Sequence, residues 1–220
     1  LLAAFKVLLR SRNTTDDISV GTAVSGRNRT EIENLIGFFV NTVVLRDEVS
    51  LTMSFEALLE RVRATCLGAF AHADVPFEKL VESLQSERGA DRANFFQAWF
   101  SFMDSMSEFM MGMVRAHPIH LAPPEAQFDF SLFIVERPEE IDCFFEYKTE
   151  LLSAQTVRVL METYQTILER VVEKPGVTLE QLFSTAQPER PGESKRQSFQ
   201  TIHEWIEQQA ARTPDSVAVT

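Results

Sequence analysis

Histidine is the side chain most suited to acid–base and metal chemistry near neutral pH, and the sequence has four: His72, His117, His120 and His203. His117 and His120 lie three positions apart, which puts them on opposite faces of a strand. The proline between them excludes a regular helical pairing. No thiol or carboxylate stands near them in the sequence to complete a set of metal ligands. Residue type and spacing therefore predict neither a histidine-based catalytic pair nor a metal site.

Other motifs that carry chemistry are missing from the sequence, which has no P-loop and no GxGxxG, HExxH, GxSxG or CxxC segment. Its two cysteines, Cys66 and Cys143, lie far apart in apolar surroundings. That arrangement is typical of buried free thiols in a reducing compartment.

Two polar groups stand where a sheet could present them to a ligand. Ser25, Gly26 and Arg27 follow a predicted strand, so they would supply a hydroxyl, a tight turn and a cation at a sheet edge. An ordinary turn is the alternative. Asn41 and Thr42 lie inside the most apolar predicted strand, where a buried amide without a hydrogen bond costs about 1–3 kcal/mol. That amide could bind the backbone or a ligand.

The elements that must position these groups follow from apolar periodicity and capping residues. The sequence predicts helices over 1–12, after the capping-box residue Thr30, from Ser54 to 70, from Pro76 to 84, and from Ser153 to Pro175. It predicts strands over 17–24, 38–45, 97–103, 128–136 and 141–148, with an irregular connection over 105–124. The mixed order, without strict βαβ repetition, predicts an α/β fold of the α+β two-layer type, a mixed sheet covered by helices.

Composition limits the partners. The 220 residues carry a net charge of −11, which argues against nucleic-acid binding and against anionic membrane surfaces. No apolar run approaches the roughly 20 residues of a membrane span. The sequence starts without Met and ends in a predicted strand, so we expect a piece of a longer protein. From 184 the composition changes to that of a linker, rich in Pro, Gly and polar residues.

Five segments in order resemble the condensation domains of nonribosomal peptide synthetases. VGTAVSGRNRTEIENLIGFFVNTVVLR (20–46) closely resembles the family's IGxFVNT region, and HADVPFEKLVE (72–82) resembles its HxDVPFE motif. FFQAWFSF (95–102) and FDFSLFI (128–134) are similar to two of its strands. IHEWIEQQAARTPDSVAV (202–219) resembles the opening of an adenylation domain.

The sequence departs from the family pattern in three places. RGADRANF (88–95) stands where the family has an RDxSRNPL-like stretch, and Val43 follows FVNT in place of Gln or Leu. The HHxxxDG signature, whose second histidine is thought to act in amide formation, is absent. In the family it lies in the N-terminal half of the domain, so the catalytic histidine is expected upstream of Leu1.

The resemblance implies three parts. Residues 1–183 would be the C-terminal lobe of a chloramphenicol-acetyltransferase-like, CoA-dependent-acyltransferase-like condensation domain without its N-terminal lobe. Residues 184–198 would be an inter-domain linker, and 199–220 the start of an adenylation (AMP-binding) domain. The chain alone would be inactive, because it contributes one wall of a tunnel between two lobes.

The resemblance also implies a reaction and partners. The amine of a downstream aminoacyl thioester attacks an upstream acyl or peptidyl thioester, and both are held on 4'-phosphopantetheine arms. Donor and acceptor carrier domains, the N-terminal lobe and the adjacent adenylation domain would be the partners. ATP and Mg would serve only the missing adenylation domain. A cytoplasmic location is expected, without nucleic acid or membrane partners.

The resemblance assigns roles to individual residues. Ser25, Gly26, Arg27 and Asn41 would lie at the substrate tunnel. Ser25 would face the missing histidine, Arg27 would bind an acceptor-side group or hold the loop, and Asn41 would fix the strand. The other motif positions, expected to be structural, are Gly37, Phe39, Thr42, His72, Asp74, Pro76, Phe77 and Glu78.

Rival functions stay open at this point. An epimerisation domain has the same fold and a different reaction, although the FVNT wording and the adenylation-like end favour condensation. A non-catalytic carrier-docking lobe would need no upstream histidine. An independent acyltransferase using coenzyme A would need its own histidine and no adenylation domain.

Overall fold

The computed structural model describes residues 1–27, 29–88, 95–104, 109–116 and 125–185. In these ranges the helices are α1 (Leu2–Arg10), α2 (Thr30–Glu33), α3 (Phe55–Ala71), α4 (Phe77–Arg88), α5 (Ala154–Glu173) and α6 (Leu179–Thr185). The strands are β1 (Asp17–Val24), β2 (Asn41–Glu48), β3 (Ala98–Asp104), β4 (Phe109–Met111), β5 (Val114–Ala116), β6 (Phe130–Glu136) and β7 (Ile141–Tyr147).

A mixed sheet in the order β2-β1-β3-β6-β7 organises the chain. β1 and β2 are antiparallel along their whole length, from Asp17 opposite Glu48 to Val24 opposite Asn41. β3 is parallel to β6, and β7 returns antiparallel to β6. The parallel ladder between β1 and β3 is short, with Val20 opposite Ala98 and Gly21 opposite Trp99. The mixed sheet of the predicted α/β fold is therefore confirmed.

The main core joins one face of the sheet to the helices. Alternate strand residues, such as Val20 in β1 and Leu132 in β6, are completely buried because a strand turns every second side chain to the same face. The Phe5 ring of α1 lies 5.9 Å from that of Phe130 and 6.1 Å from that of Phe100. Side chains from α3, α5 and α6 complete the same cluster. This layer of helices fixes β1, whose last residue leads into the candidate site.

The helix N-termini show which of the predicted capping residues make side-chain hydrogen bonds. The Ser54 and Ser153 hydroxyls accept the Ala57 and Thr156 amide protons at 3.2 and 3.1 Å, so both predicted N-caps are confirmed. The predicted capping box at Thr30 is wrong, because Arg29 is the N-cap residue and makes no side-chain cap hydrogen bond. The short α2 therefore has no side-chain cap at its N-terminus.

Apolar spacing also predicts inward-facing residues in three helices: Phe55, Leu58, Leu59, Val62, Cys66, Ala69 and Phe70 in α3, Phe77, Leu80, Val81 and Leu84 in α4, and Val157, Leu160, Met161, Tyr164, Leu168, Val171 and Val172 in α5. Several of these residues are exposed. In α3, Leu59 and Phe70 are 49% and 51% exposed, while Phe55, Leu58 and Val62 are buried. α3 packs on β2, which lies at the edge of the described sheet, so a narrower stripe of the helix is covered than periodicity suggested. The predicted inward positions of Leu80, Met161 and Val172 are also wrong, because these side chains are exposed.

Two strand predictions also need correction. The strand predicted over 38–45 begins at Asn41 and runs to Glu48, so the apolar residues 38–40 belong to the preceding connection. The connection over 105–124 is not irregular throughout, because its described part, 109–116, forms a hairpin that turns at Gly112 with φ +63°. The histidine pair at 117 and 120 lies outside the described residues. No helix in the described ranges has the length and apolarity needed to cross a membrane.

A buried ion pair joins α1 to the sheet. The Lys6 ammonium donates to the Asp47 carboxylate and, at 2.8 Å, to the Leu45 carbonyl oxygen. The Thr65 hydroxyl donates to the same carboxylate at 2.5 Å, which adds α3 to the network. Burial lowers the pKa of Lys6, and the hydrogen bond to Asp47 opposes that shift. Because both charges are removed from water, each depends on the other for compensation.

Candidate functional site

The connection between β1 and β2 closes on itself through Gly26. This glycine has φ +61°, a left-handed conformation that costs other residues strain. A Cβ atom at this position would lie 2.0 Å from the main-chain oxygen of Phe39, far inside van der Waals contact. Gly26 therefore allows the start of the connection to touch its end, as the tight-turn prediction required.

Arg27 is held within the same connection. Its guanidinium donates to the main-chain oxygens of Ile32 at 2.5 Å and Glu33 at 3.1 Å, with a longer contact to Gly37 at 3.5 Å. The guanidinium carbon lies 4.4 Å from the centre of the Phe39 ring, a cation–π distance. Of the two roles predicted for Arg27, the geometry supports holding the loop.

Ser25 follows the last residue of β1 and is exposed. Among the described residues, its hydroxyl oxygen receives one long contact, 3.5 Å, from the Arg27 amide nitrogen. Its predicted place at the substrate tunnel remains a prediction.

Asn41 joins two motifs that are far apart in the sequence. Its side-chain NH₂ donates to the main-chain oxygens of Ala73 at 2.8 Å and Val75 at 2.7 Å. Its side-chain oxygen accepts the amide protons of Thr42 at 2.9 Å and Phe77 at 3.2 Å. Both donors and both acceptor positions of the amide are therefore used. The amide binds backbone, and its predicted contact with the tunnel is not needed to explain its presence.

The remaining motif residues surround this junction. His72 is the C-cap residue of α3, and Pro76 stands directly before α4. Asp74 and Glu78 are exposed, with Glu78 in the first turn of α4, where the helix dipole favours an acid. Their predicted structural role fits these positions.

An aromatic cluster, which sequence reasoning missed, supports the junction from the side of β3. The Phe77 ring lies 5.9 Å from that of Phe96, and the Trp99 and Phe128 rings stack 4.5 Å apart. The Phe96 ring lies where a Cβ on Gly21 would come within 2.3 Å of it. A lone glycine inside a predicted strand is the signal that could have indicated this close approach.

The surface beside the connection is apolar. Ile36 and Phe38 are almost fully exposed, and Leu35, Val40 and Val75 are about half exposed. Contiguous exposed apolar side chains on a folded domain commonly mark a contact surface. We refer to these five residues as the apolar rim.

The opposite end of the β1–β2 ladder holds an open acidic groove lined by Thr15, Asp16, Asp17, Arg46, Asp47 and Glu48. Asp16 pairs with Arg10 at 2.7 Å and Asp17 with Arg46 at 2.6 Å, so these carboxylates are neutralised locally. Across the part of the chain that the structure describes, His, Cys, Asp and Glu side chains form no group of three or more able to hold a metal ion.

Comparison with protein families matches residues 1–191 to the model described as "Condensation domain". The whole chain is 34% identical over 230 residues to "Gramicidin S synthase 2" of Brevibacillus brevis, and 33% identical over 228 residues to "Tyrocidine synthase 3" of Brevibacillus parabrevis. It spans only 5% and 4% of the lengths of these two relatives.

Solved structures share the fold. A four-domain nonribosomal peptide synthetase bound to AMP and glycine matches 82% of this chain and 15% of its own, with a TM-score of 0.71 at 21% identity. The condensation domain from Monacolin K polyketide synthase matches 81% of this chain and 42% of its own, with a TM-score of 0.69 at 23% identity. The X-domain of teicoplanin biosynthesis, solved in complex with OxyB, matches 82% of this chain and 41% of its own, with a TM-score of 0.69 at 24% identity.

Proposed function

Because the chain belongs to the condensation-domain family, we propose that residues 1–183 form the C-terminal lobe of a condensation domain in a nonribosomal peptide synthetase. In the proposed reaction, the amine of a downstream aminoacyl thioester attacks the carbonyl carbon of an upstream acyl or peptidyl thioester. A C–N bond forms, the C–S bond breaks, and the amine proton and the freed sulfur end as a thiol. The lobe needs no nucleophile of its own for this chemistry.

The observation that carries the proposal is the convergence of the family-like segments. Asn41 of the FVNT segment binds the backbone of residues 73–77 in the HADVPFE segment. Gly26 of the VSGR segment touches Phe39 of the same FVNT region. Motif residues separated by up to 36 positions thus form one local framework, and Ser25 lies exposed at its edge.

Such a lobe, as one wall of the substrate tunnel, would promote the reaction by positioning the substrates. Holding two thioesters in the reacting geometry and keeping water away accelerates aminolysis without a covalent step on the wall itself. Ser25 would present a small hydroxyl toward the reacting groups, and a large side chain there would block them. The catalytic histidine would come from the rest of the domain.

The exposed apolar rim is an argument for a second lobe that covers it. The Monacolin K condensation domain has more than half of its chain outside the matched part, which leaves room for a second lobe of similar size. An apolar surface beside the exposed Ser25 suits coverage by such a lobe. Carrier domains would bring the substrates on 4'-phosphopantetheine. Residues 184–198 would be an inter-domain linker, and residues 199–220 would begin an adenylation domain that uses ATP and Mg. A cytoplasmic location fits these partners.

A non-catalytic docking lobe is the second candidate. The specific observation in its favour is that the X-domain, which was solved as a complex with another protein, shares the fold. A lobe with this role would keep the framework and the apolar rim, but it would not require an open path beside Ser25.

The test is a condensation assay on the complete domain that contains this sequence. Loaded donor and acceptor carriers are supplied, and peptide on the acceptor is detected by mass spectrometry. We expect turnover by the complete domain and none by the 220-residue chain alone. Running the reaction in deuterium oxide separates epimerisation, because that reaction introduces deuterium at an α-carbon. Turnover by the isolated chain, or no turnover by the complete domain, would contradict the proposal.

A further inference from the structure

Building on the proposed function, we propose that Arg27 is a positioning residue, which fixes the β1–β2 connection so that Ser25 faces the reacting groups, and that it does not bind substrate. The side chain lies two positions after Ser25 and makes its described contacts within residues 32–39. Its effect on the reaction would therefore pass through the conformation of the loop.

The short helix α2 depends on Arg27. It has only one turn, Thr30–Glu33, and no side-chain cap at its N-terminus. A single turn is not stable by itself, because helix nucleation is unfavourable. The Arg27 guanidinium has no acceptor atom but offers a rigid fork of donors. By bonding the main-chain oxygens of Ile32 and Glu33, it satisfies carbonyls at the C-terminal end of this turn.

Phe39, near the end of the connection, is contacted by two consecutive residues, Gly26 and Arg27. Arg27 stacks on the Phe39 ring, and the Gly26 backbone lies against the Phe39 main-chain oxygen. Two residues later, Asn41 anchors the chain to the residues before α4. The two ends of the connection are therefore held together at Phe39. Arg27 also holds the middle of the connection, through its bonds to the Ile32 and Glu33 oxygens.

The guanidinium directs three of its five N–H donors at its own loop. One terminal nitrogen bonds two carbonyl oxygens, and the other is 3.5 Å from the Gly37 oxygen. An acceptor-side anion bound by both terminal nitrogens would compete with these contacts and so with the support of α2. A substrate-binding arginine would instead point its fork away from its own loop.

The experiment measures loop order and catalysis in the same variants of the complete condensation domain. Arg27→Met keeps the apolar stem and removes the charge, whereas Arg27→Lys keeps the charge and removes the fork. Arg29→Met is the matched control, since Arg29 is exposed on the same loop and is only the N-cap position of α2. Thermolysin, which cleaves before large apolar residues, probes the loop at Leu35 and Phe38.

We expect Arg27→Met to speed thermolysin cleavage within 29–40 at least tenfold, and Arg29→Met to leave the rate within twofold of wild type. Arg27→Lys should fall between wild type and Arg27→Met. Condensation by Arg27→Met should lose about tenfold in kcat, by the same factor for acidic, neutral and basic acceptors, with KM within about threefold of wild type. Uniform loss is the signature of positioning, because a direct contact would discriminate among acceptors.

Three results would overturn the inference. Unchanged cleavage in Arg27→Met would show that Arg27 does not hold the loop. Faster cleavage with unchanged turnover would show that the loop does not position the reaction. A loss confined to one charge class of acceptor, or to KM, would show direct binding. Absence of condensation by the wild-type complete domain is a separate result: it refutes the proposed function, while the cleavage comparison still reports whether Arg27 holds the loop.

Discussion

Replacement of Asn41 by alanine should loosen the joint between β2 and the start of α4. The change removes three long-range hydrogen bonds, to Ala73, Val75 and Phe77, together with the local bond to Thr42. Each such bond contributes about 0.5–1.5 kcal/mol net, and the groups on this half-exposed junction can recover part of that from water. We therefore expect Asn41→Ala to lower the free energy of unfolding by about 2–3 kcal/mol.

The Asn41→Asp variant distinguishes the donor bonds of the side chain from its acceptor bonds. A carboxylate can still accept the Thr42 and Phe77 amide protons, but it faces the carbonyl oxygens of Ala73 and Val75 without a proton to donate. At pH 7 this variant should be at least as unstable as Asn41→Ala. The carbonyls favour the neutral acid, so the folded state should take up a proton before the unfolded state does. The difference from wild type should then shrink as the pH falls toward about 4, the ordinary pKa of an unfolded aspartate, and stay constant below it.

The measurement is urea unfolding of wild type, both variants and Asn13→Ala at several pH values. Asn13 is the matched control, because its side chain donates one exposed hydrogen bond, to the Leu9 main-chain oxygen at 3.1 Å. Its replacement should cost less than about 1 kcal/mol. An Asn41→Ala protein within about 0.5 kcal/mol of wild type would refute the structural role, since surface changes without a structural role commonly fall in that range.

Three further predictions test other parts of the molecule. Gly26→Ala should destabilise the chain in urea unfolding by at least about 1 kcal/mol more than Gly112→Ala, because both have positive φ but only Gly26 is blocked by backbone; equal losses would remove the steric argument. Lys6→Met should cost about 3–5 kcal/mol by leaving Asp47 buried without its partner, and adding Asp47→Leu should restore most of that stability; a double variant no better than the single one would contradict this. Burial raises the pKa of Cys66, so iodoacetamide at pH 8 should alkylate it several-fold more slowly than a free cysteine peptide until urea unfolds the chain; equal rates before unfolding would be inconsistent with a protected thiol.

The sequence predicted strands and helix starts correctly where they depend on neighbouring residues alone. The apolar run of β6 and the serine caps of α3 and α5 depend on residues close in sequence. The strand predicted over 128–136 spans Phe130–Glu136, and both caps stand at the predicted serines. The burial of Lys6 could not be read in this way, because lysine is ordinarily exposed and its partner Asp47 is 41 positions away. The close approach of Phe96 to Gly21 joins residues that are still farther apart in the sequence.

The candidate site was predicted as a set of positions, and the contacts among them required the fold. The sequence left Asn41 between a backbone role and a ligand role, and only the approach of residues 73–77 distinguishes them. Arg27 was likewise ambiguous, since a guanidinium can bond either a substrate anion or a carbonyl oxygen. The closure of the connection onto Phe39 brings the carbonyl oxygens within its reach.

The central claim is that Ser25 faces the reacting thioesters. A pair of substitutions in the complete condensation domain tests it most directly. Single-turnover condensation and thermal melting are measured together on Ser25→Trp and Ser25→Ala. We predict no peptide formation by Ser25→Trp with an unchanged melting temperature, and at most a few-fold slower reaction by Ser25→Ala, equivalent to about 1 kcal/mol. A fully active Ser25→Trp domain would show that this residue does not face the reacting thioesters, and the proposed wall would have to lie elsewhere.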